Sequence, residues 1–202
     1  MSEDKKYYVG LDLGQARDYS ALAIAEATGE GKDCVCLIRH LERWQLGTSY
    51  PAICSDALKM VNGAPLEKAK LIVDATGVGR PVVDLIRPGL GPRLCAVTIT
   101  GGVNETREII RGGSWWTVPK RNLVSTAQVM LQSRRLKIAA SLPEAATLTR
   151  ELEGFQVKID SETAHDSYGA WRTGAHDDLV LAVALAIWGA LNPSLNRVLV
   201  GA

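Results

Sequence analysis

Residues 5–44 read KKYYVGLDLGQARDYSALAIAEATGEGKDCVCLIRHLERW, and their pattern decides how the rest of the chain is organised. An apolar stretch ends on Asp12 and runs into a turn at Gly14. Ser20 to Ala27 then offers small and apolar residues suited to close packing beside that first strand. TGEGKD, from Thr28 to Asp33, is a turn by composition, and Cys34 to Trp44 supplies a third strand. Three strands joined by two glycine-rich turns predict an antiparallel meander.

From Pro51 the period changes. Ile53, Ala57, Leu58 and Val61 recur at helical spacing until Asn62 and Gly63 stop them. AKLIVDATGVG (69–79) is a short apolar strand ending on Asp74, then a glycine-bearing loop, then a helix opened by Pro81. RLCAVTIT (93–100) is another strand. Strands and helices alternating after a meander predict an α/β fold: a mixed sheet with a parallel portion and helices on both faces.

The second half is less regular. Residues 101–122, GGVNETREIIRGGSWWTVPKRN, read as a loop or an extended hairpin. LVSTAQVMLQSRRL (123–136) is an amphipathic helix, and LKIAA is short and extended. LPEAATLTRELEGF (142–155) is a helix opened by Pro143 and closed by Gly154. FQVKID (155–160) reads as an edge strand, and residues 161–176 as a polar loop. The apolar run from Leu179 to Leu191 falls short of the ~18 residues a membrane span needs, so it predicts a buried core helix. Residues 1–202 are expected to form a single domain.

Bulk properties narrow the function. A net charge of +1 gives no global attraction for a polyanion, so any nucleic-acid surface must be a local patch. The 4 cysteines (Cys34, Cys36, Cys54, Cys95) include no Cys-x-x-Cys pair and predict buried thiols in a reducing, cytoplasmic setting. His40, His165 and His176 have no zinc-ligand spacing.

Chemistry is suggested by where the acids stand. Asp12 and Asp74 each end a strand, where the loops of an open α/β sheet gather ligands. Asp177 and Asp178 open the terminal helix. One of that pair serves as an N-cap on the plainest reading, but capping does not account for the other three acids. If all four share one sheet edge, carboxylates about 4 Å apart repel by roughly 4 kcal/mol at an effective dielectric of 20. A divalent cation relieves that repulsion, and all-carboxylate ligation suits Mg²⁺ or Mn²⁺ rather than zinc.

The order of YVGLDLGQARDYSALAIAE, LIVDATGVGRPVVDLI, VPKRNLVSTAQVMLQSRRLKIA, LTRELEGFQVK and GAHDDLVLAVALAIW resembles the C-terminal nuclease domain of tailed-phage terminase large subunits. That family belongs to the ribonuclease H-like superfamily. The resemblance implies Asp12, Asp74 and Asp177 or Asp178 as metal ligands, with the reading leaning to Asp177. It implies a metal-dependent endonuclease that cuts double-stranded DNA with two Mg²⁺ or Mn²⁺ ions during catalysis. Its implied partners are a packaging ATPase, a small terminase subunit or a portal protein, in the host cytoplasm if the gene is of phage or prophage origin. Large subunits of this family carry a packaging ATPase, and no P-loop occurs here: GEGKD around Lys32 lacks the upstream glycine and the hydroxyl residue.

For DNA contact the basic residues of the middle stand out: Arg107 and Arg111 on the glycine-flanked stretch, and Lys120 and Arg121 at a helix start. Arg134 and Arg135 close that helix, where cations suit the dipole. Trp115 and Trp116 are expected to pack in the core. Two rivals remain open. GLDLGQARDYSALAI also resembles the first phosphate loop of actin-like and sugar-kinase-like ATP-binding domains, although Gln15, Ala16 and Arg17 replace its hydroxyl-rich turn. A terminase-like domain used only for docking has no reason to keep a repulsive acid cluster.

Overall fold

Strands β1 (Lys6–Asp12), β2 (Ala21–Thr28) and β3 (Val35–Arg43) form the predicted meander, with β1 antiparallel to β2 and β2 to β3. The computed structural model describes residues 4–14, 18–77, 79–110, 113–159, 166–170 and 176–196. Helix α1 (Tyr50–Val61) leads to β4 (Lys70–Asp74), and α2 (Gly79–Leu90) to β5 (Leu94–Thr100). Strand β4 lies parallel to β1 on one side and to β5 on the other.

Of the two readings of residues 101–122, the hairpin is the one seen, in the pairing of residues 106–110 with 113–117. Strand β6 (Thr106–Ile110) pairs antiparallel with β7 (Gly113–Pro119), and β7 runs parallel to β5, so the hairpin widens the sheet. After α3 (Lys120–Gln132), β8 (Leu136–Ile138) adds parallel to β3. The eight-stranded order is β6-β7-β5-β4-β1-β2-β3-β8.

Helix α4 (Ala145–Gly154) begins two residues beyond Pro143. Two readings of the following segment need correction. Strand β9 (Phe155–Ile159) is no edge of the main sheet; it pairs with β10 (Asp166–Ala170) in a separate two-stranded sheet. Strand β10 lies within the stretch expected to be a polar loop. Backbone pairing holds such a ribbon, so no apolar alternation marks it in the sequence. The chain continues into α5 (Asp178–Leu191) and a short α6 (Pro193–Asn196). Among the described residues no helix is long and apolar enough to cross a membrane. All four cysteines are buried free thiols.

Helix α5 explains its own composition. Every residue from Asp178 to Gly189 is buried, because the sheet covers one side while α3 and α4 cover the other. Helices α1 and α2 cover the opposite face of the sheet, where Val9, Leu11, Leu22, Ile24, Val73 and Ala96 point.

The face toward α5 is built small. Ala21, Ala23, Ala25 and Ala27 of β2 line it, and Gly10 of β1 meets the helix backbone directly. A Cβ at Gly10 would overlap the carbonyl oxygen of Ala182 and lie 2.8 Å from the Ala186 nitrogen. Farther along, a Cβ at Gly189 would sit 2.7 Å from Ile72 Cδ1. Contacts of Ala182 with Gly10, and of Gly189 with Tyr8, fix α5 antiparallel to β1. The helix mouth therefore opens at the C-terminal ends of β1 and β4.

Because the obstruction at Gly10 is backbone, Gly10→Ala must lift α5 from the sheet, a cost of about 3 kcal/mol or more. Urea unfolding should show that loss, while Gly101→Ala, where nothing lies within 4 Å, should show much less.

Candidate active site

Alternation along β1 sends Tyr8, Gly10 and Asp12 to the same face, toward α5; along β4, Ile72 and Asp74 share that face. Leu11 pairs with Val73 in the parallel ladder, which sets the two strand-end aspartates side by side. The two carboxyls lie close enough for each to bear on the other's protonation. Asp74 Oδ1 accepts the Thr76 amide at 2.7 Å.

Asp12 is only 7 % exposed. Burial holds its carboxyl well above the usual range, and the nearby charges of Asp74, Asp178 and Asp177 push the same way, with Lys120 opposing. Asp74 is raised chiefly by burial, against the hydrogen bonding of Thr76 and the charge of Lys120. The four acids predicted from sequence thus act on one another at a single sheet edge.

The two acids of α5 have different surroundings. Asp177 is the N-cap by position, but its side chain caps nothing; Oδ2 instead accepts from Lys120 Nζ at 3.0 Å. Asp178 is 3 % exposed, and its Oδ2 is buried without a hydrogen-bond partner. His176 Nδ1 lies 3.7 Å from that oxygen. Burial pushes the Asp178 carboxyl up to about 6, with His176 pulling it down and Asp177 and Asp18 pushing it up.

Glu151 of α4 does the capping. Its Oε2 accepts the amides of Leu179 at 2.9 Å and Val180 at 3.2 Å, two of the donors that a helix start leaves open. Arg43, at the end of β3, reaches Glu151 Oε1 at 3.5 Å and lies 4.0 Å from the centroid of the Tyr19 ring. Tyr19 in turn meets His176 edge-on at 4.9 Å. Glu151, Arg43, Tyr19 and His176 therefore brace the mouth of α5 from outside. The sequence reading assigned none of Glu151, Arg43, Tyr19 and Asp18; only the sequence separation of 28 between Glu151 and Leu179 joins the cap to its helix.

Among the described residues, no three His, Cys, Asp or Glu side chains form a group that would hold a metal ion as they stand. The Lys120 ammonium supplies a counter-charge, 3.0 Å from Asp177 Oδ2 and acting on Asp12 and Asp74 as well.

The basic residues separate. Lys120 belongs to the acid cluster. Arg121 Nη2 donates to the Val103 carbonyl at 3.4 Å. Arg107 is exposed on β6, donating to Ser114 Oγ at 3.3 Å with its guanidinium 5.5 Å from the Trp116 ring centroid. Arg111, like Gln15, Ala16, Arg17 and His165, lies outside the described residues. Arg135 Nη1 ties the end of α3 to the Lys32 carbonyl at 2.8 Å. Trp116 packs edge-on against Trp188 at 5.4 Å, and Trp115 Nε1 donates to Thr98 Oγ1 at 2.9 Å.

An antiparallel three-stranded start continued by parallel strands, with an acid-bearing helix across it, is a ribonuclease H-like fold. Its structural neighbours are terminase nucleases. The large terminase nuclease of thermophilic phage G20c superposes with a TM-score of 0.62 at 18% identity, covering 94% of this chain and 84% of that one. The Mn-soaked human cytomegalovirus terminase nuclease domain gives 0.58 at 14% identity, covering 94% and 85%. The large terminase nuclease domain of bacteriophage SPP1 with bound Mn gives 0.54 at 12% identity, covering 93% and 87%. No family profile and no curated protein matches the sequence.

Two outcomes follow. Glu151→Ala orphans two buried amides and should cost about 1–3 kcal/mol, with Glu151→Gln losing less; thermal unfolding of both variants checks it. The second concerns pH. Burial holds Glu151 up at about 7 and Asp178 at about 6, above their unfolded values, so the native state keeps protons that the unfolded chain releases. Glu26 works oppositely, held at about 2 by its hydrogen bonds from Arg39, and its contribution is complete above the ordinary carboxylate range. Stability in chelator should therefore fall as pH rises from about 4.5 to about 7, read as a declining calorimetric midpoint, and excess Mn²⁺ should remove the decline.

Proposed function

We propose that the chain is a metal-dependent DNA endonuclease whose site is formed by Asp12, Asp74 and Asp178, with Asp177 as an alternate ligand. The observation that carries this reading is the buried, unpartnered Oδ2 of Asp178 beside three further acids. A buried carboxylate oxygen without a donor costs free energy that a cation would recover. The same observation favours Asp178 over Asp177, whose carboxylate is engaged by Lys120. Asp178 also weighs more on Asp12 than Asp177 does.

The donor set fits Mg²⁺ or Mn²⁺: it is built of carboxylate oxygens, with the His176 imidazole 3.7 Å from Asp178 Oδ2. Bound there, one or two such ions would supply an activated water and stabilise the leaving oxygen of a phosphodiester. The protein's own part is to hold and deprotonate the ligands. Burial raises the Asp12 and Asp74 carboxyls, and an ion needs both deprotonated, so affinity should rise with pH. Glu151 keeps the first turn of α5 in register, and the contact of Gly10 with Ala182 sets its depth.

Double-stranded DNA is the proposed substrate, with Arg107 and Arg121 as its phosphate contacts. The likeness to terminase nucleases supports a role in viral genome packaging, alongside a packaging ATPase, a small terminase subunit or a portal protein.

Supercoiled plasmid incubated with Mn²⁺ should be relaxed and linearised, and chelator should stop it. Asp12→Asn, Asp74→Asn and Asp178→Asn should each cut at least about 100-fold more slowly with unchanged circular dichroism, and Asp177→Asn should lose less. Parental cutting by Asp74→Asn would refute the assignment.

A further inference from the structure

We propose that Lys120 is the resident counter-cation of the acid cluster: it occupies Asp177 in the absence of divalent ions and is displaced when an ion binds. The inference rests on the nuclease reading and adds to it a residue that sets metal affinity.

Three observations carry it. Lys120 is the first residue of α3, directly after Pro119, which contributes no side-chain cap. A cation gains nothing from its own helix there, since the dipole is positive at the N-terminus, so its partner must lie elsewhere. That partner is Asp177, 57 residues away in sequence, at 3.0 Å from Nζ. Both side chains are mostly covered, 25% exposed for Lys120 and 23% for Asp177, so water screens the pair less than a surface one. Finally, the Lys120 charge is felt beyond its partner, by Asp12 and Asp74.

An ammonium on a flexible four-carbon stem can neutralise such a cluster and still withdraw. A divalent ion among the same oxygens carries twice the charge and reaches several carboxylates together. The two cations repel each other, so entry of the ion drives the ammonium outward. Lysine at this position therefore weakens metal binding while keeping the ion-free cluster from splaying apart.

The test uses the full chain and Mn²⁺ alone. Calorimetric titration should show Lys120→Met binding Mn²⁺ about tenfold more tightly than the parent, the scale on which residues around metal ligands shift affinity. Lys120→Arg, which keeps the charge, should stay near the parental value. In chelator at pH 7 the Lys120→Met midpoint should fall below the parent's. A measurement on the parent needs no variant to fold: amine acylation followed by mass spectrometry should label Lys120 faster once Mn²⁺ is added. Equal or weaker Mn²⁺ binding by Lys120→Met, or labelling that ignores Mn²⁺, overturns the inference and leaves the nuclease reading standing. Should the parent bind no Mn²⁺ that Asp178→Asn abolishes, both fall together.

Discussion

Helix α5 touches β1 backbone to backbone, and the position of every acid in the site follows from that contact. At Gly10 no side chain separates the strand from the Ala182 carbonyl, and the alanines of β2 keep the neighbouring floor equally low. A helix seated so close cannot slide or tilt without overlap, because packed interiors resist even one added methyl group. Its mouth is consequently fixed over the ends of β1 and β4. There Asp178 stands one turn before Ala182, and Asp12 two residues beyond Gly10.

Several carboxylates in such a place would ordinarily disrupt it. Burial outweighs the other influences on Asp12, Asp74 and Asp178, raising all three, and their mutual repulsion adds to it at Asp12. The fold tolerates this because the charge is relieved locally: Lys120 sits on Asp177, and its charge acts on Asp12 and Asp74 as well. Stability and function pull apart here. The native structure carries a group of acids that favours protonation, and the proposed divalent ion would remove the need for it.

How much of this was legible in the sequence depends on the range of the interaction. The meander showed because period-2 patterning and glycine turns are local, and α5 because thirteen apolar residues without a polar face can only be buried. The strand-end positions of Asp12 and Asp74 were readable for the same reason, as β1 and β4 have unambiguous C-terminal ends. Strand β10 was missed because its pairing with β9 uses backbone groups that composition does not report. Lys120 was read as a phosphate contact from its place at a helix start, whereas its neighbour across the fold is Asp177. Glu151 lies in a quoted stretch of α4, yet nothing local says that its carboxylate reaches another helix.

Glu151 resolves the ambiguity that an acidic pair at a helix start always raises. Aspartate is favoured at such a start both as a cap and as an anion near the positive end of the dipole, so either residue has an ordinary structural explanation. Here the amides of Leu179 and Val180 are already taken by Glu151 from α4, and the Asp177 side chain caps nothing. Dipole attraction alone would lower the Asp178 carboxyl, yet burial holds it at about 6, so desolvation is the larger effect. A capping residue that sits on a different element leaves both aspartates free for another partner. One of them finds Lys120; the other keeps a buried oxygen without a hydrogen bond, His176 Nδ1 standing 3.7 Å away. A structural role satisfies its polar atoms, and the Asp178 carboxylate does not, which supports the proposed ligand role over a capping one.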